Sequence, residues 1–295
     1  MGKYIISCCS TVDLTEDQLK SRDIKHVCFH FSIDGKEYFD DLGKSVPFDV
    51  FYKAMATGAE TKTSQVNVDE FTQFFSQYLE KGYDIIHVAI SSGISGTFNS
   101  ATIARNELLE KYPDRKLYIV DSLAASGGQG MLVDKLADLR DAGLTIDELY
   151  DWVRSHKLEL HHWFFSTDLT FFVKGGRITK ASGWFGTILK ICPLLNVDKN
   201  GKLVPREKIR TKAKVIKAIA EKMELFARDG LEYSDKCIIT HSGCYDDARA
   251  VADIIEAKFK DLKCPVIINS IGTTIGSHTG PGTVALFFWG KKRED

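Results

Sequence analysis

The sequence contains no apolar run long enough to cross a membrane and no excess of charge of either sign. A membrane-spanning helix needs about 18 or more apolar residues in succession, and no run approaches that length. The 39 basic residues are balanced by 40 acidic ones, and no basic patch stands out. These absences argue against stable membrane insertion and against a nucleic-acid-binding protein.

The beginning of the chain also lacks the marks of a secretion or lipidation signal. The opening MGKYIISCCSTVDL has no apolar signal segment or small-residue cleavage site, and its pattern is typical of a first β-strand. Ile6 stands where N-myristoylation requires Ser or Thr. The seven cysteines are odd in number and form no CxxC pair. We therefore expect buried free thiols in a reducing cytoplasm and no metal site.

Two nucleotide-binding motifs are absent as well. No string matches the P-loop G-x-x-x-x-G-K-[ST], and GGQG at 127–130 lacks the G-x-G-x-x-G spacing of a dinucleotide site. No cofactor is therefore predicted. What remains is an ordinary globular composition, with 44% hydrophobic and 27% charged residues, which can build a large core.

Strand-like and helix-like segments alternate through the first half of the chain. Asn67 with Glu70 and Thr145 with Glu148 fit the capping pairs that begin helices. The Asp-Gly pair at 34–35 predicts a hairpin turn. This alternation predicts a mainly parallel, Rossmann-like α/β sheet covered by helices.

The second half has longer strand-like segments. HHWFFSTDLTFF (161–172) and LLNVDKNGKLVPREKI (194–209) are interpreted as strands, the second a hairpin that turns at Asn200-Gly201. Strands mixed with helices here indicate an α+β domain. We therefore predict an α/β fold of two domains, residues 1–158 and residues 159–295.

Three polar clusters follow strand-like runs, namely TKTSQVN (61–67), SSGISGT (91–97) and GTTIGSHTGPG (272–282). In open α/β sheets such segments gather at the carboxyl ends of strands, where ligands bind. The unpaired N–H groups that begin the helix after SSGISGT favour an anion. The hydroxyls and glycines could equally be helix caps and tight connections. His278 lies in the third cluster, in a loop too polar to need a core histidine, and is a candidate ligand contact.

A serine hydrolase is the alternative from the enzyme class. Ser95 has Gly93 two places before it, but Thr97 stands where the second glycine of a G-x-S-x-G elbow belongs. His278 or His241 could supply a base, although His241 is better interpreted as a packed or capping residue. No third triad member is indicated, and the geometry is left open. A sensor of small anions is a further alternative.

Six motifs in order resemble one family. They are TSQ, SSGISGTFNSA, VDSLAASGG, LTFFVKGGRITKA, ICPLLNV with GKLVPREKIRTKAK, and GSHTGPG. Over about residues 4 to 289 the series resembles the DegV family, bacterial fatty-acid-binding proteins that include the FakB subunit of the fatty acid kinase system. The resemblance implies a long-chain fatty acid buried between an α/β and an α+β domain. It also implies a carrier, not an enzyme, from which a separate fatty acid kinase phosphorylates the lipid carboxyl group.

The resemblance also implies roles for particular residues. It places Arg177 and Arg210 near the mouth of the site, facing the kinase or its phosphates. The residues that it assigns to the lipid carboxylate are Thr63, Ser95, Gly96, Thr97, His278 and Thr279.

One departure from the family pattern concerns the end of the first strand. Cys9 stands where relatives commonly carry an acid, and a thiol is a poor substitute for a carboxylate that accepts hydrogen bonds. We therefore doubt a polar network there. No arginine lies in the three polar clusters, which fits a carboxylate held by neutral donors. The apolar residues available for a lipid tunnel are Phe164, Phe165, Phe171, Phe172, Trp184, Phe185, Ile188 and Leu189.

Overall fold

The computed structural model describes residues 3–178 and 191–294. Its first half contains a four-stranded sheet in the order β2-β1-β6-β7, in which every neighbouring pair is parallel. This confirms the mainly parallel sheet predicted from the alternation of segments. The strands are β1 (Tyr4–Cys9), β2 (Ile24–Val27), β6 (Asp84–Ala89) and β7 (Leu117–Asp121).

A second, three-stranded sheet lies beside it in the order β4-β3-β5 and is antiparallel. It contains the hairpin predicted at Asp34-Gly35, and both of those residues have positive φ. Its third strand covers the first polar cluster, so Thr63 lies on a strand and not on a loop. The strands are β3 (His30–Ile33), β4 (Lys36–Phe39) and β5 (Thr61–Ser64).

Six helices accompany these sheets. Both predicted capping boxes are present, because Asn67 with Glu70 caps α3 and Thr145 with Glu148 caps α6. Helix α5 begins five residues before the predicted start at Met131, and its first turn includes the buried glycines of GGQG. The helices are α1 (Glu16–Ser21), α2 (Phe48–Ala56), α3 (Val68–Leu79), α4 (Thr97–Lys111), α5 (Ser126–Asp141) and α6 (Ile146–His156).

The second half is built on a six-stranded sheet in the order β10-β9-β8-β13-β11-β12. It is antiparallel except for the parallel pair β11 and β12. The predicted hairpin turn at Asn200-Gly201 is confirmed between β9 and β10, with Gly201 at φ +71°. The strands are β8 (Leu160–Ser166), β9 (Ile191–Val197), β10 (Leu203–Arg210), β11 (Ile238–His241), β12 (Ile267–Ser270) and β13 (Thr283–Trp289).

Two of the helices in this half lie where the sequence predicts the end of a strand and a loop. The extended interpretation of HHWFFSTDLTFF is wrong at its end, because Asp168 accepts the N–H of Thr170 (2.8 Å) and begins a short helix. The cluster with His278 is likewise a helix and not a loop. The helices are α7 (Thr170–Lys174), α8 (Lys212–Phe226), α9 (Tyr245–Lys258) and α10 (Thr273–Thr279).

Helix α5 joins the two halves. It packs against β1 and β6 of the parallel sheet and against β8, β11 and β13 of the six-stranded sheet. One cluster of buried apolar side chains accordingly runs from Ile6 and Val120 to Phe165 and Leu194. Strand β8 begins at Leu160, close to the boundary predicted near residue 158, and the division into two domains stays a prediction. Among the described residues, no helix is long and apolar enough to cross a bilayer.

Candidate functional site

A pocket of about 400 Å³ lies between the parallel sheet and the six-stranded sheet. This volume is within the range of roughly 300–1,000 Å³ that is usual for small-molecule sites. Its walls come from both halves of the chain. The polar side chains that line it are Thr63, Ser64, Gln65, Ser95, Ser126, His162, Arg177, Thr274, His278, Thr279 and Thr283.

Thr63 and His278 form the centre of the polar end. Strand β5 presents Thr63 and helix α10 presents His278, and the Thr63 Oγ1 atom lies 2.8 Å from His278 Nε2. Burial, with a further contribution from Arg177, lowers the pKa of His278 to about 4. The imidazole is therefore neutral at physiological pH. Its Nδ1 atom has no hydrogen-bond partner within residues 3–178 and 191–294 and lies against Gly175, where an added Cβ would come within 2.3 Å.

Ser95 lies in the turn that precedes helix α4. Its Oγ atom lies 2.8 Å from Thr97 Oγ1 and accepts the Thr97 N–H at 3.3 Å. Thr97 is fully buried and does not line the pocket, so it holds the Ser95 hydroxyl in place from behind. Gly96 is the N-cap residue and lies against the Gln65 side chain, where an added Cβ would come within 2.9 Å of Oε1.

Arg177 lines the pocket beside these groups. Its Nε atom donates to the carbonyl of Ile94 (3.2 Å) and Nη1 donates to the carbonyl of Gly175. Burial lowers the pKa of the guanidinium from its usual value. The polar end thus includes Arg177 next to neutral donors, although the three polar clusters themselves contain no arginine.

Arg210 lies apart from the pocket lining. It is exposed at the end of strand β10, seven residues beyond the pocket-lining Leu203, which is about 23 Å along an extended strand. Lys212, two residues later, forms an ion pair with Asp247 (2.9 Å). The structure therefore brings Arg177 to the pocket and leaves Arg210 on the surface. The kinase-facing role of each stays a prediction.

Several polar groups of the lining were not singled out from the sequence. Ser64 and Gln65 are exposed at the polar end, next to Thr63 in TSQ. Ser126 begins helix α5, and Thr274 lies in the first turn of α10. The hydroxyls of Thr274 and Thr279 are buried and have no hydrogen-bond partner in the part of the chain that the structure describes. Proximity to Thr63 and to His278 in the sequence was the signal that could have identified Ser64, Gln65 and Thr274.

The rest of the lining is apolar. Of the aromatic residues predicted for a tunnel, Phe164 and Phe172 line the pocket. Phe165 points to the other face of β8, and Phe171 packs with the apolar cluster around α2. Further apolar lining comes from Phe29, Ile90, Ile94, Val197, Leu203, Ile271, Ile275, Ala285 and Phe287. The predictions for Trp184, Phe185, Ile188 and Leu189 lie outside the described residues.

The doubt about a polar network after the first strand was wrong. Asp13 accepts the N–H of Gly272 (2.8 Å) and the hydroxyl of Ser126, and burial raises its pKa to about 8. A second buried acid, Asp40, accepts hydroxyl groups of the 10–12 turn and of α10. Cys9 takes no part in this network. Its Sγ atom lies 3.6 Å from His87 Nε2, and burial raises the pKa of the thiol.

The geometry does not favour the hydrolase alternative. The Ser95 hydroxyl is paired with Thr97, and the Nε2 atom of His278 is paired with Thr63. His241 is a capping residue, as the sequence indicates, since its Nδ1 accepts the N–H of Cys244 at 3.3 Å. Within residues 3–178 and 191–294 no cluster of His, Cys, Asp and Glu is suited to a metal ion, and all seven cysteines are free.

Comparison with known proteins gives the same family throughout. The model described as "Uncharacterised protein, DegV family" matches residues 6–291. A DegV domain-containing protein of Clostridium perfringens is 38% identical, with 100% of each chain covered. A solved Thermotoga maritima structure, described as revealing a fatty acid binding function, is 27% identical with a TM-score of 0.84, covering 99% of this chain and 100% of that one.

A more distant likeness concerns the fold alone. The fatty acid kinase B3 protein of Streptococcus pneumoniae, solved with linoleic acid, is 21% identical with a TM-score of 0.83, covering 98% of this chain and 100% of that one. The likenesses extend over the whole of the relatives' length, and the family match spans both halves and the pocket between them. The chain belongs to the DegV family.

Proposed function

We propose that this protein binds a long-chain fatty acid in the pocket between its two halves and presents the carboxylate to a separate kinase. The observation that carries the proposal is the pocket itself, which is polar at the end formed by Thr63, Ser95 and His278 and mainly apolar elsewhere. The fatty acid binding reported for the Thermotoga maritima relative supports the same ligand class.

The hydrogen bonds at the polar end suit an acid group. With His278 neutral and its Nδ1 unpartnered, the ring proton belongs on Nε2, which then donates to Thr63 Oγ1. The Thr63 hydroxyl is left to donate to the carboxylate. When the Ser95 hydroxyl accepts hydrogen bonds from Thr97, its own proton is likewise free to donate to the carboxylate. Hydrogen bonds to an ionised acceptor are about twice as strong as neutral ones, and they offset the cost of removing the carboxylate from water.

The hydrocarbon tail supplies most of the affinity. Burying about fourteen methylenes at roughly 0.8 kcal/mol each amounts to on the order of 11 kcal/mol before the costs of association. The head-group contacts therefore set the orientation of the lipid more than its affinity. This division explains how a few hydroxyls are sufficient at the polar end.

The kinase step is supported by the exposure of the polar end. Ser64, Gln65 and Gly96 are exposed beside the proposed carboxylate position, so a partner protein can reach the acid group. In this arrangement the Thr63 and Ser95 hydroxyls hold the carboxylate, and the Nε and Nη1 atoms of Arg177 beside them are bonded to backbone carbonyls, so the acid group remains available to an external phosphate donor. The phosphoryl transfer would then be performed by the partner, and this chain would act as the carrier.

Mass spectrometry of protein purified from bacteria tests the binding. We expect a co-purifying fatty acid, and we expect Ser95→Ala to weaken the affinity for oleate roughly tenfold through loss of one hydrogen bond to the carboxylate. Ser92→Ala is the matched control, because Ser92 lies in the same turn but bonds Asp121 outside the pocket. A ligand-free protein that ignores added oleate and palmitate would refute the proposal.

A further inference from the structure

One polar side chain in the pocket has no role in the binding of a simple fatty acid. His162 lies on the inner face of β8 with Phe164, lines the pocket and is 2% exposed. Neither of its ring nitrogens has a hydrogen-bond partner among the described residues. Buried polar groups are almost always paired, and an unpaired one costs free energy, so this exception requires an explanation.

The ring is neutral. Burial lowers the pKa of His162 well below its ordinary value, and Arg293 and His161 add to the shift. The backbone of Leu160 opposes the shift slightly but forms no hydrogen bond of normal geometry with the ring. A neutral imidazole carries one donor and one acceptor. The two groups lie on different ring nitrogens that point in diverging directions, so one ligand group can pair with one of them, as a donor or as an acceptor.

The beginning of helix α5 lies against the same ring. An added Cβ on Gly128 would come within 2.1 Å of His162 Nε2, so only glycine allows this approach. Ala125 and Ser126, which begin the helix, line the pocket, and no side chain caps the helix. The N–H groups of Gly128 and Gln129 bond the Ala125 carbonyl, so the candidate backbone donors are those of Ser126 and Gly127. Backbone donors and His162 thus belong to the same wall of the pocket.

The strand register gives the depth of His162. Strands β8 and β13 pair Ser166 with Thr283 at the end next to α10, and His162 with Phe287 four residues further along. Four residues of extended strand span about 13 Å. An extended acyl chain advances roughly 1.25 Å per carbon, since each bond of about 1.5 Å is part of a zigzag. His162 is therefore separated by the length of about ten acyl carbons from the end of β8 that lies next to α10, which is the polar end of the pocket.

We infer that His162 and the start of helix α5 form a second polar subsite, which recognises a long-chain fatty acid hydroxylated near the middle of its chain. The inference rests on the proposed function, because it concerns the acyl part of the same pocket. A hydroxyl can donate to the unprotonated ring nitrogen or accept from the protonated one, so it can pair with whichever nitrogen faces the ligand. A plain methylene at this depth leaves both ring nitrogens unpaired. Sites built to pair with a hydroxyl discriminate strongly against ligands that lack it.

The test compares stearate with two hydroxystearates, one hydroxylated at about the tenth carbon and one at the second. Dissociation constants are measured for the wild-type protein, for His162→Leu and for His162→Asn. Leucine and asparagine have nearly the same shape, but only asparagine keeps a donor and an acceptor. The readout is the preference for each hydroxystearate over stearate, with thermal unfolding as the check that each variant is folded.

In the wild-type protein we expect the mid-chain hydroxystearate to bind about tenfold more tightly than stearate, the size of one hydrogen bond. His162→Leu should remove that preference, His162→Asn should keep most of it, and the second-carbon isomer should show none in any variant. Equal preference in the wild type and His162→Leu, with stearate still bound, would overturn this inference alone. Failure of the wild type to bind any of the three acids would overturn the proposed function with it.

Discussion

At the scale of single residues, the two arginines assigned to the kinase occupy different environments. Arg177 lies in the pocket wall, where its guanidinium holds the turn before helix α4 through the carbonyl of Ile94. Arg210 is exposed on β10, away from the lining. A change at Arg177 therefore alters the pocket itself, whereas a change at Arg210 tests the surface alone.

We predict that Arg210→Ala leaves the dissociation constant for oleate unchanged and lowers the rate of acyl-phosphate formation by a competent kinase roughly tenfold at low ionic strength. The reason is that an exposed cation attracts an acidic partner or its phosphates without touching the lipid. Kinase assays at several salt concentrations, beside equilibrium binding, measure both effects.

Lys81→Ala is the matched control for this prediction. Lys81 is an exposed cation in the turn before β6. It lies at the amino end of that strand, whereas Ser95 and the polar end of the pocket follow its carboxyl end. Lys81→Ala should change neither the dissociation constant for oleate nor the rate of acyl-phosphate formation. Equal loss of binding and phosphorylation in Arg210→Ala would contradict the surface role.

At the scale of secondary-structure elements, the helix beginnings with capping boxes are the features that the sequence predicts best. The Asn67 side chain accepts the Glu70 N–H (3.0 Å), and the Glu70 carboxylate accepts the Asn67 N–H (2.8 Å). These bonds involve residues three apart and do not depend on the rest of the chain. Local sequence therefore predicts them correctly.

Replacing Asn67 with Ala should lower the free energy of unfolding by about 1 kcal/mol, because the start of α3 loses its side-chain acceptor. Urea unfolding monitored by circular dichroism measures the change. Asn106→Ala makes the same substitution at an exposed position inside α4 and should be neutral or slightly stabilising, since alanine is the better helix former. A similar loss in both variants would show that the cap contributes nothing.

The site elements behave differently from the caps. Short polar segments around Thr63 and His278 were expected as loops, yet one is strand β5 and the other helix α10. Each is stabilised by contacts with distant parts of the chain, since β5 pairs with β3 and α10 packs against α2, α7 and β3. Their local propensities are weak, so tertiary packing decides their conformation.

At the scale of the whole molecule, buried acids connect the two halves. Asp13 follows β1, and its carboxylate bonds Ser126 on α5 and the backbone of Gly272 before α10. Asp40 adds a hydrogen bond to Thr273 on α10 (2.8 Å). The walls of the pocket are therefore tied to the same hydrogen-bond network that joins the first half to the second.

This network makes stability depend on pH. The pKa of Asp13 is raised to about 8 in the folded protein and is near 3.9 when unfolded, so between these values the folded state binds more protons. Stability then falls as pH rises from about 4 through 8, and the loss levels off above that, where Asp13 is deprotonated in both states. Between pH 6.5 and 8.5 the loss due to Asp13 should be on the order of 2 kcal/mol.

Asp13→Asn should remove this part of the pH dependence, because the amide keeps an acceptor for Gly272 without a titratable group. Urea unfolding of both proteins at pH 6.5 and 8.5 provides the comparison. His87 and His278 do not interfere in this window, since burial lowers their pKa values to about 3 and 4 and leaves them neutral. An identical decline in the variant would assign the effect to other groups.

The sequence by itself determined the elements whose stabilising contacts are local or periodic. These include the parallel strands, the capped helices α3 and α6, the hairpin turns at 34–35 and 200–201, and the order of motifs that resembles the DegV family. Each depends on residues a few positions apart, or on an apolar pattern that a single strand or helix displays.

Only the tertiary structure determined which residues form the pocket and which of them contact each other. It paired Thr63 with His278, 215 residues away, buried Asp13 beside Gly272, and placed His162 against Gly128 of α5. These contacts depend on how two sheets pack across one helix, and such long-range packing is not encoded in local propensity or periodicity. The residue types of the site were therefore visible in the sequence, while their partners and their protonation states required the fold.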